Sequence, residues 1–133
     1  MPSAQAVNKK TYLWFIPAAL ALCVLIVFAF RWGWSDLYAF QVRNSSDQWF
    51  KEDRLPSEDE LNTAFKKIDG ALDWYPGYPE YLESKAYLIW LAILREQRSG
   101  NEGVQANINQ LAQEAAALHR HALENRPNWP YSW

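Results

Sequence analysis

Residues 73–82 read DWYPGYPEYL, and this stretch marks where one predicted helix ends and the next begins. Pro76 followed by Gly77 stops a helix, because proline lacks a backbone N–H and its ring clashes with the preceding turn. Pro79 suits the first position of a new helix, where the missing N–H costs no hydrogen bond. The stretch therefore predicts two neighbouring helices that run in opposite directions.

The sequence predicts three helices, of which the first two meet at this turn. The first runs from Glu58 to Trp74, with Ser57 as N-cap and Glu60 completing a capping box. The second runs from Pro79 to Gln97, and the third from Val104 to Asn125 after the turn RSGNEG. Apolar residues recur in them at spacings of three and four, which is typical of helices with one buried face. The residues expected to face inward are Leu61, Ala64, Phe65, Ile68, Ala71 and Leu72 in the first helix, Leu82, Ala86, Ile89, Trp90 and Ile93 in the second, and Ile108, Leu111, Ala115, Leu118, Ala122 and Leu123 in the third.

Near the N-terminus, residues 11–30 (TYLWFIPAALALCVLIVFAF) contain no charge over 20 residues. A helix of this length spans roughly the 30 Å hydrocarbon core of a bilayer. The segment exceeds the apolar core of a signal peptide, and the residues after it make a poor cleavage site. We expect an uncleaved transmembrane helix at 11–30, preceded by a disordered cytoplasmic segment at 1–10. Basic residues before the span favour a cytoplasmic N-terminus and a periplasmic C-terminal part.

Residues 31–54 form a predicted juxtamembrane neck between the span and a helical domain at 55–133. Its large apolar residues could lie on the membrane surface or pack on the domain. The polar run NSSD at 44–47 predicts a break or kink in this segment. The large apolar residues are Leu37, Phe40, Trp49 and Phe50.

The charge and the reactive side chains exclude several functions. After residue 30 the chain has 11 lysines and arginines against 15 aspartates and glutamates, so nucleic acid is not an expected partner. The only cysteine, Cys23, lies in the span and allows no intramolecular disulfide. His119 and His121 are two positions apart, so they diverge on a helix and do not share a metal. No phosphate-binding glycine loop is present. We expect no enzyme activity, no metal and no cofactor.

The end of the first helix has a second copy further along the chain. Ala64, Ile68, Ala71 and Pro76 share their spacing with Ala115, His119, Ala122 and Pro127. Small alanines let a helix lie close to its neighbour, and the proline then turns the chain. This pattern resembles a tetratricopeptide (TPR) repeat, although the separation here is 51 residues, against about 34 in that repeat. The predicted class is all-α, with one transmembrane helix followed by TPR-like antiparallel helix pairs.

The wider layout is similar to a family of membrane-anchored TPR-like proteins of the VpsP type, associated with bacterial polysaccharide biosynthesis and export. The resemblance is carried by SDLYAFQVR at 35–43, ALDWYPGYPEYLESKAYLIW at 71–90 and ALENRPNWPYSW at 122–133. It implies a non-catalytic scaffold on the outer face of the bacterial inner membrane that recruits protein partners.

Partner binding is assigned to aromatic and acidic residues. Four lie at helical spacing along one side of the second helix, and two lie in the C-terminal segment: Glu80, Glu83, Tyr87 and Trp90, then Trp129 and Trp133. Such side chains bind peptides or stack on sugars, so a glycan is a further candidate ligand. The alternative interpretation is that Tyr87 and Trp90 are ordinary packing residues.

The sequence leaves one alternative function open. In it, the chain is a small bitopic structural subunit of another membrane complex, and the transmembrane helix makes the main contact.

The role of the C-terminal residues is also open. Pro130 to Trp133 resemble the first turn of a fourth helix. We expect the chain to continue past Trp133, or else the aromatic tail to dock on the domain itself or on a partner.

Overall fold

The computed structural model describes residues 9–99 and 105–126. It contains four helices over these residues: α1 (Lys9–Lys51), α2 (Glu58–Trp74), α3 (Pro79–Ser99) and α4 (Gln105–Glu124). No strand occurs among the described residues, which confirms the predicted all-α class. The predicted bounds of α2 agree with the structure at both ends, and those of α3 and α4 agree within two residues.

The chain divides into two compact units, Met1–Gly33 and Trp34–Trp133, and α1 crosses the boundary between them. In the first unit, every described side chain from Phe15 onward is exposed. This is the one helix in the described part of the chain that is long and apolar enough to cross a membrane. The finding is consistent with a single-pass anchor. Lys9 and Lys10 are already helical, so the predicted disorder at 1–10 is wrong for these two residues.

The second unit begins with the C-terminal part of α1, where the predicted break at NSSD is wrong. The helix continues through residues 44–47 and ends at Lys51. Packing explains the continuity, because one face of this segment is buried at alternating spacings of four and three. The stabilisation from that face exceeds the modest helix propensity of serine, asparagine and aspartate. The buried residues are Ser35, Ala39, Val42, Ser46 and Trp49.

A Schellman motif ends α1, and its key residue is Asp53. The N–H of Arg54 donates to the carbonyl of Trp49 at 3.1 Å, and the N–H of Asp53 donates to the carbonyl of Phe50 at 3.2 Å. These two bonds satisfy carbonyls that the helix end would otherwise leave without partners. Asp53 takes the left-handed conformation that the motif requires, with φ of 48°.

The predicted capping box begins α2. The N–H of Glu60 donates to the Ser57 hydroxyl at 3.3 Å, and the N–H of Ser57 donates to the Glu60 carboxylate at 2.7 Å. Arg54 adds two bonds to the same carboxylate, at 2.8 and 2.9 Å. The residues buried by α2 are all among those predicted: Leu61, Ala64, Ile68 and Ala71.

Ion pairs and contacts show that successive helices of this unit run in opposite directions. Between α2 and α3, Asp69 pairs with Lys85 at 2.9 Å and Glu58 pairs with Arg95 at 3.1 Å, so the start of α2 lies beside the end of α3. Ser35 of α1 likewise reaches the far end of α2, where its hydroxyl meets the carbonyl of Ala71. The core lies among α1, α2 and α3, and it includes Ala39, Val42, Trp49, Leu61, Ala64, Ile68, Ala71, Tyr81, Leu88 and Leu91.

Helix α3 is buried on two sides, and α4 is the least buried helix of the unit. Tyr81, Leu88 and Leu91 belong to the core, whereas Leu82, Ala86 and Ile89 are buried outside it, and α3 also packs against α4. In α4 only Ala122 is buried. The predicted inward position of Leu123 is wrong, because its side chain is exposed. Trp90 was also predicted to face inward and is half exposed.

Candidate functional site: a groove between α1 and α3

An open groove of about 550 Å³ separates the end of α1 from the first half of α3. Both walls come from helices that also contribute residues to the core, so core packing holds the two walls in place. The α1 wall consists of Val42, Arg43, Ser46, Asp47 and Phe50, and the α3 wall consists of Glu80, Glu83, Ser84 and Tyr87.

Three of the six residues predicted to bind partners line this groove together: Glu80, Glu83 and Tyr87. Trp90 is the next aromatic along α3, and its ring stacks on Tyr87 with a centroid distance of 5.7 Å and an interplanar angle of 28°. Both rings are partly exposed, at 36% for Tyr87 and 49% for Trp90. Trp129 and Trp133 lie outside the described residues. The binding role of all six residues stays a prediction.

Arg126, just after α4, neutralises part of the acidic charge in the groove. Its guanidinium lies 2.8 Å from the Glu80 carboxylate and 3.6 Å from that of Glu83. The Arg126 side chain is only 14% exposed, so the pairing is more strongly held than a typical surface ion pair. These contacts fix the two glutamates in place and connect the groove wall to the end of α4.

Tyr78 supports Glu80 from the turn before α3. The Tyr78 hydroxyl hydrogen-bonds to the Glu80 carboxylate, and this bond together with burial raises the pKa of Tyr78 to about 12. The hydroxyl therefore stays protonated, and stays a donor, throughout the physiological pH range. Glu80 accordingly meets both Tyr78 and Arg126, which orients its carboxylate at the edge of the groove.

A smaller recess of about 190 Å³ continues the groove toward the end of α3. Phe50 and Tyr87 line both spaces, so the groove and the recess form one surface. Trp90 and Leu94 line the recess on the α3 side. Phe50 is 81% exposed, the highest value among the described large apolar side chains of this unit. Exposed aromatic rings grouped at a concave surface are typical of binding sites for other molecules.

The α1 wall is the part of the site that the sequence analysis missed. Trp49 was expected either on the membrane or on the domain, and it packs in the core. Phe50, its neighbour, points to the groove, whereas Leu37 and Phe40 are exposed without lining it. The spacing of Ser35, Ala39, Val42, Ser46 and Trp49 was a usable signal. This buried face was missed because two of its five residues are serines and one is alanine, so it does not read as an apolar pattern.

Comparison with known proteins adds no relative: no protein-family model, no curated protein and no solved structure matches this chain.

The chemistry available in the groove suits recognition. Among the described residues, no three histidine, cysteine, aspartate or glutamate side chains come together as a metal site. His119 lines a separate groove between α3 and α4, and His121 is exposed elsewhere on α4. The α1–α3 groove offers aromatic faces, carboxylates and an arginine on a fixed frame. Groups of these kinds make up protein interfaces in general, where aromatic and arginine side chains are enriched.

Proposed function

We propose that this chain is a non-catalytic, membrane-anchored adaptor that binds a segment of another protein in the α1–α3 groove. The anchor is the apolar part of α1, and the binding unit is the helical domain that follows it. The single observation that carries the proposal is the continuous surface of exposed Phe50, Tyr87 and Trp90 beside Glu80 and Glu83.

A TPR-like arrangement is part of this proposal. Helices α1 and α3 line the groove, and α2 packs behind them in the core. Successive helices run in opposite directions, as the ion pairs between α2 and α3 indicate. In helical-repeat proteins, alternate helices line a concave surface that holds an extended segment of the partner. These features support the interpretation, and the 51-residue separation of the repeat motifs is its main departure.

The cellular setting rests on the resemblance to VpsP-type proteins. We place the domain on the outer face of the bacterial inner membrane, beside enzymes that synthesise or export a polysaccharide. The partner is then a protein of that assembly. Its bound segment would contribute an apolar side chain to Phe50 and Tyr87, and polar groups to Arg43, Asp47 and Glu83.

Co-purification from detergent-solubilised membranes tests the proposal through paired substitutions. Tyr87→Ala together with Trp90→Ala removes the stacked rings, and Phe40→Ala removes an aromatic ring that is 60% exposed and lies outside the groove. Loss of an interface aromatic costs about 2 kcal/mol or more, which is roughly 30-fold in affinity. We expect the double variant to lose a protein that the Phe40→Ala variant retains.

The main alternative is a structural subunit that binds through its transmembrane helix. It predicts that both variants retain the partner equally and that the exchange of Phe15–Phe30 for an unrelated apolar span releases it. That result would contradict the groove proposal. Direct glycan binding predicts instead that oligosaccharide changes the fluorescence of the full-length protein and that Trp90→Ala reduces the change.

A further inference from the structure

A second groove of about 400 Å³ lies between α3 and α4, and it shares Tyr87 with the first groove and Trp90 with the recess. It differs from the first in chemistry, because no acid, lysine or arginine is among its described lining residues. His119 is the one histidine among its described lining residues. The α3 wall consists of Ala86, Tyr87, Trp90 and Ile93, and the α4 wall consists of Ala112, Ala115, Ala116 and His119.

Helix α4 leaves an apolar surface exposed beside this groove. The helix has a regular apolar face, yet Ala122 is its only buried residue. Ala112 and Ala116 are exposed within the groove, and Ala115 is half buried. Three alanines leave a shallow floor on which a flat ring fits closely, and the stacked Tyr87 and Trp90 rings form one wall.

We propose that the chain's own C-terminal segment, residues 127–133, docks in the α3–α4 groove. This segment reads PNWPYSW, so three of its seven residues are aromatic and none is charged. Its composition matches the groove, whose described lining is apolar apart from His119 and the polar atoms of Tyr87 and Trp90. The α1–α3 groove, with Glu80, Glu83, Arg43 and Asp47, offers this segment a poorer match.

Arg126 fixes the point beside the first turns of α3 from which the segment starts. Arg126 is held on Glu80 and Glu83 of α3, and Asn125 lies beside Gly77 in the turn before α3. Ala86 follows Glu83 by one helical turn, a rise of about 5 Å, and Ile93 lies about 10 Å further along α3. Seven extended residues reach roughly 23–25 Å, so the segment can follow the groove from Ala86 to Ile93.

The experiment measures how fast a maleimide reagent labels single cysteines in the detergent-solubilised full-length chain, with Cys23→Ser as background. Ala112→Cys places a thiol on the groove floor. Ala117→Cys is the matched control, because Ala117 is an exposed alanine of α4 that does not line the groove. A segment docked in nine-tenths of the molecules slows labelling about tenfold, equivalent to ~1.4 kcal/mol.

We expect deletion of residues 127–133 to restore fast labelling at Ala112→Cys and to leave Ala117→Cys unchanged. Trp129→Ser together with Trp133→Ser should act in the same way without shortening the chain. Equal labelling of Ala112→Cys with and without the segment would overturn the proposal. Protection that depends on protein concentration would overturn it too, because the occupant would then be a second copy. Helical circular dichroism confirms that each variant is folded.

Discussion

The hydroxyl of Ser35 in α1 donates a hydrogen bond of 3.0 Å to the carbonyl oxygen of Ala71 near the end of α2, and both residues are fully buried. The same carbonyl accepts the N–H of Tyr75 at 3.2 Å. Ser35 therefore joins two helices across 36 positions of sequence. It also lies beside Tyr81, whose pKa is raised by burial, an effect that the Ser35 hydroxyl partly offsets.

The first prediction concerns this bond. Ser35→Ala should lower the free energy of unfolding of the helical domain by about 1 kcal/mol, the usual contribution of a buried hydrogen bond. The loss stays moderate because Ala71 keeps its bond to Tyr75. Urea titration of the full-length protein in detergent, followed by tryptophan fluorescence, measures it. Ser45→Ala is the control, at a half-exposed serine of the same helix. Equal effects of the two substitutions would refute the role of Ser35.

Asp53→Gly should stabilise the protein. Asp53 has φ of 48°, a conformation that glycine adopts without steric cost, and the Schellman bonds use only the backbone. We expect a gain of about 0.5–1 kcal/mol. Asp53→Val should lower the free energy of unfolding by more than Asp53→Gly raises it, because a β-branched residue disfavours positive φ. A thermal melt that ranks valine above glycine at this position would contradict the assigned helix end.

Gly70→Ala should also stabilise the protein, since a Cβ at Gly70 would lie 3.6 Å from two carbons of the Tyr38 ring, an ordinary contact. Replacing glycine by alanine inside a helix contributes about 0.5–1 kcal/mol. Gly70→Leu should destabilise by about 1–3 kcal/mol, because its outer carbons would enter the space of that ring. The same urea titration distinguishes the two, and a stable leucine variant would show that α1 and α2 are not closely packed here.

The acid sensitivity of the α2 cap follows from Glu60. Its side-chain bonds from Arg54, and then the backbone bond from Ser57, lower the pKa of Glu60 from 4.5 to about 2. Because the folded-state pKa is the lower one, the stabilisation is complete above pH 4.5 and is lost as the pH falls toward 2. Glu60→Gln should cost about 0.5 kcal/mol at pH 7, as expected for an exposed pair.

The stability difference between the wild-type chain and Glu60→Gln should shrink below pH 4.5 and disappear near pH 2. Urea titrations at a series of pH values measure it. Asp59→Asn is the control, because it changes the neighbouring acid, which makes no ion pair with Arg54 among the described contacts. A difference for Glu60→Gln that stays constant from pH 7 to pH 2 would contradict the assigned role of the carboxylate.

Local signals in the sequence were sufficient to predict most of the helices. Ser57 and Glu60 determined the start of α2, and Pro76 and Pro79 determined its end and the start of α3. The end of α1 was not predictable in this way, because NSSD has the composition of a turn while Ser46 is buried by tertiary packing. The end itself depends on a left-handed aspartate, where glycine is the usual signal.

Only one wall of the candidate site could be predicted, because the other wall also depends on tertiary packing. Helical spacing was enough to place Glu80, Glu83 and Tyr87 on one side of α3, but their opposite wall comes from a segment 30 to 45 residues earlier in the chain. The pairing of Arg126 with both glutamates depends on how α4 lies against α3, and no local pattern specifies it.

Site-specific photo-cross-linking in intact membranes tests the proposed adaptor function most directly. A photoreactive phenylalanine derivative replaces Tyr87 in the groove or, as control, Phe40 outside it, so both positions exchange an aromatic ring for a similar one. The adaptor account predicts a cross-link from position 87 to one defined protein and none to that protein from position 40. Cross-links to that protein from both positions, or none from position 87, would contradict it.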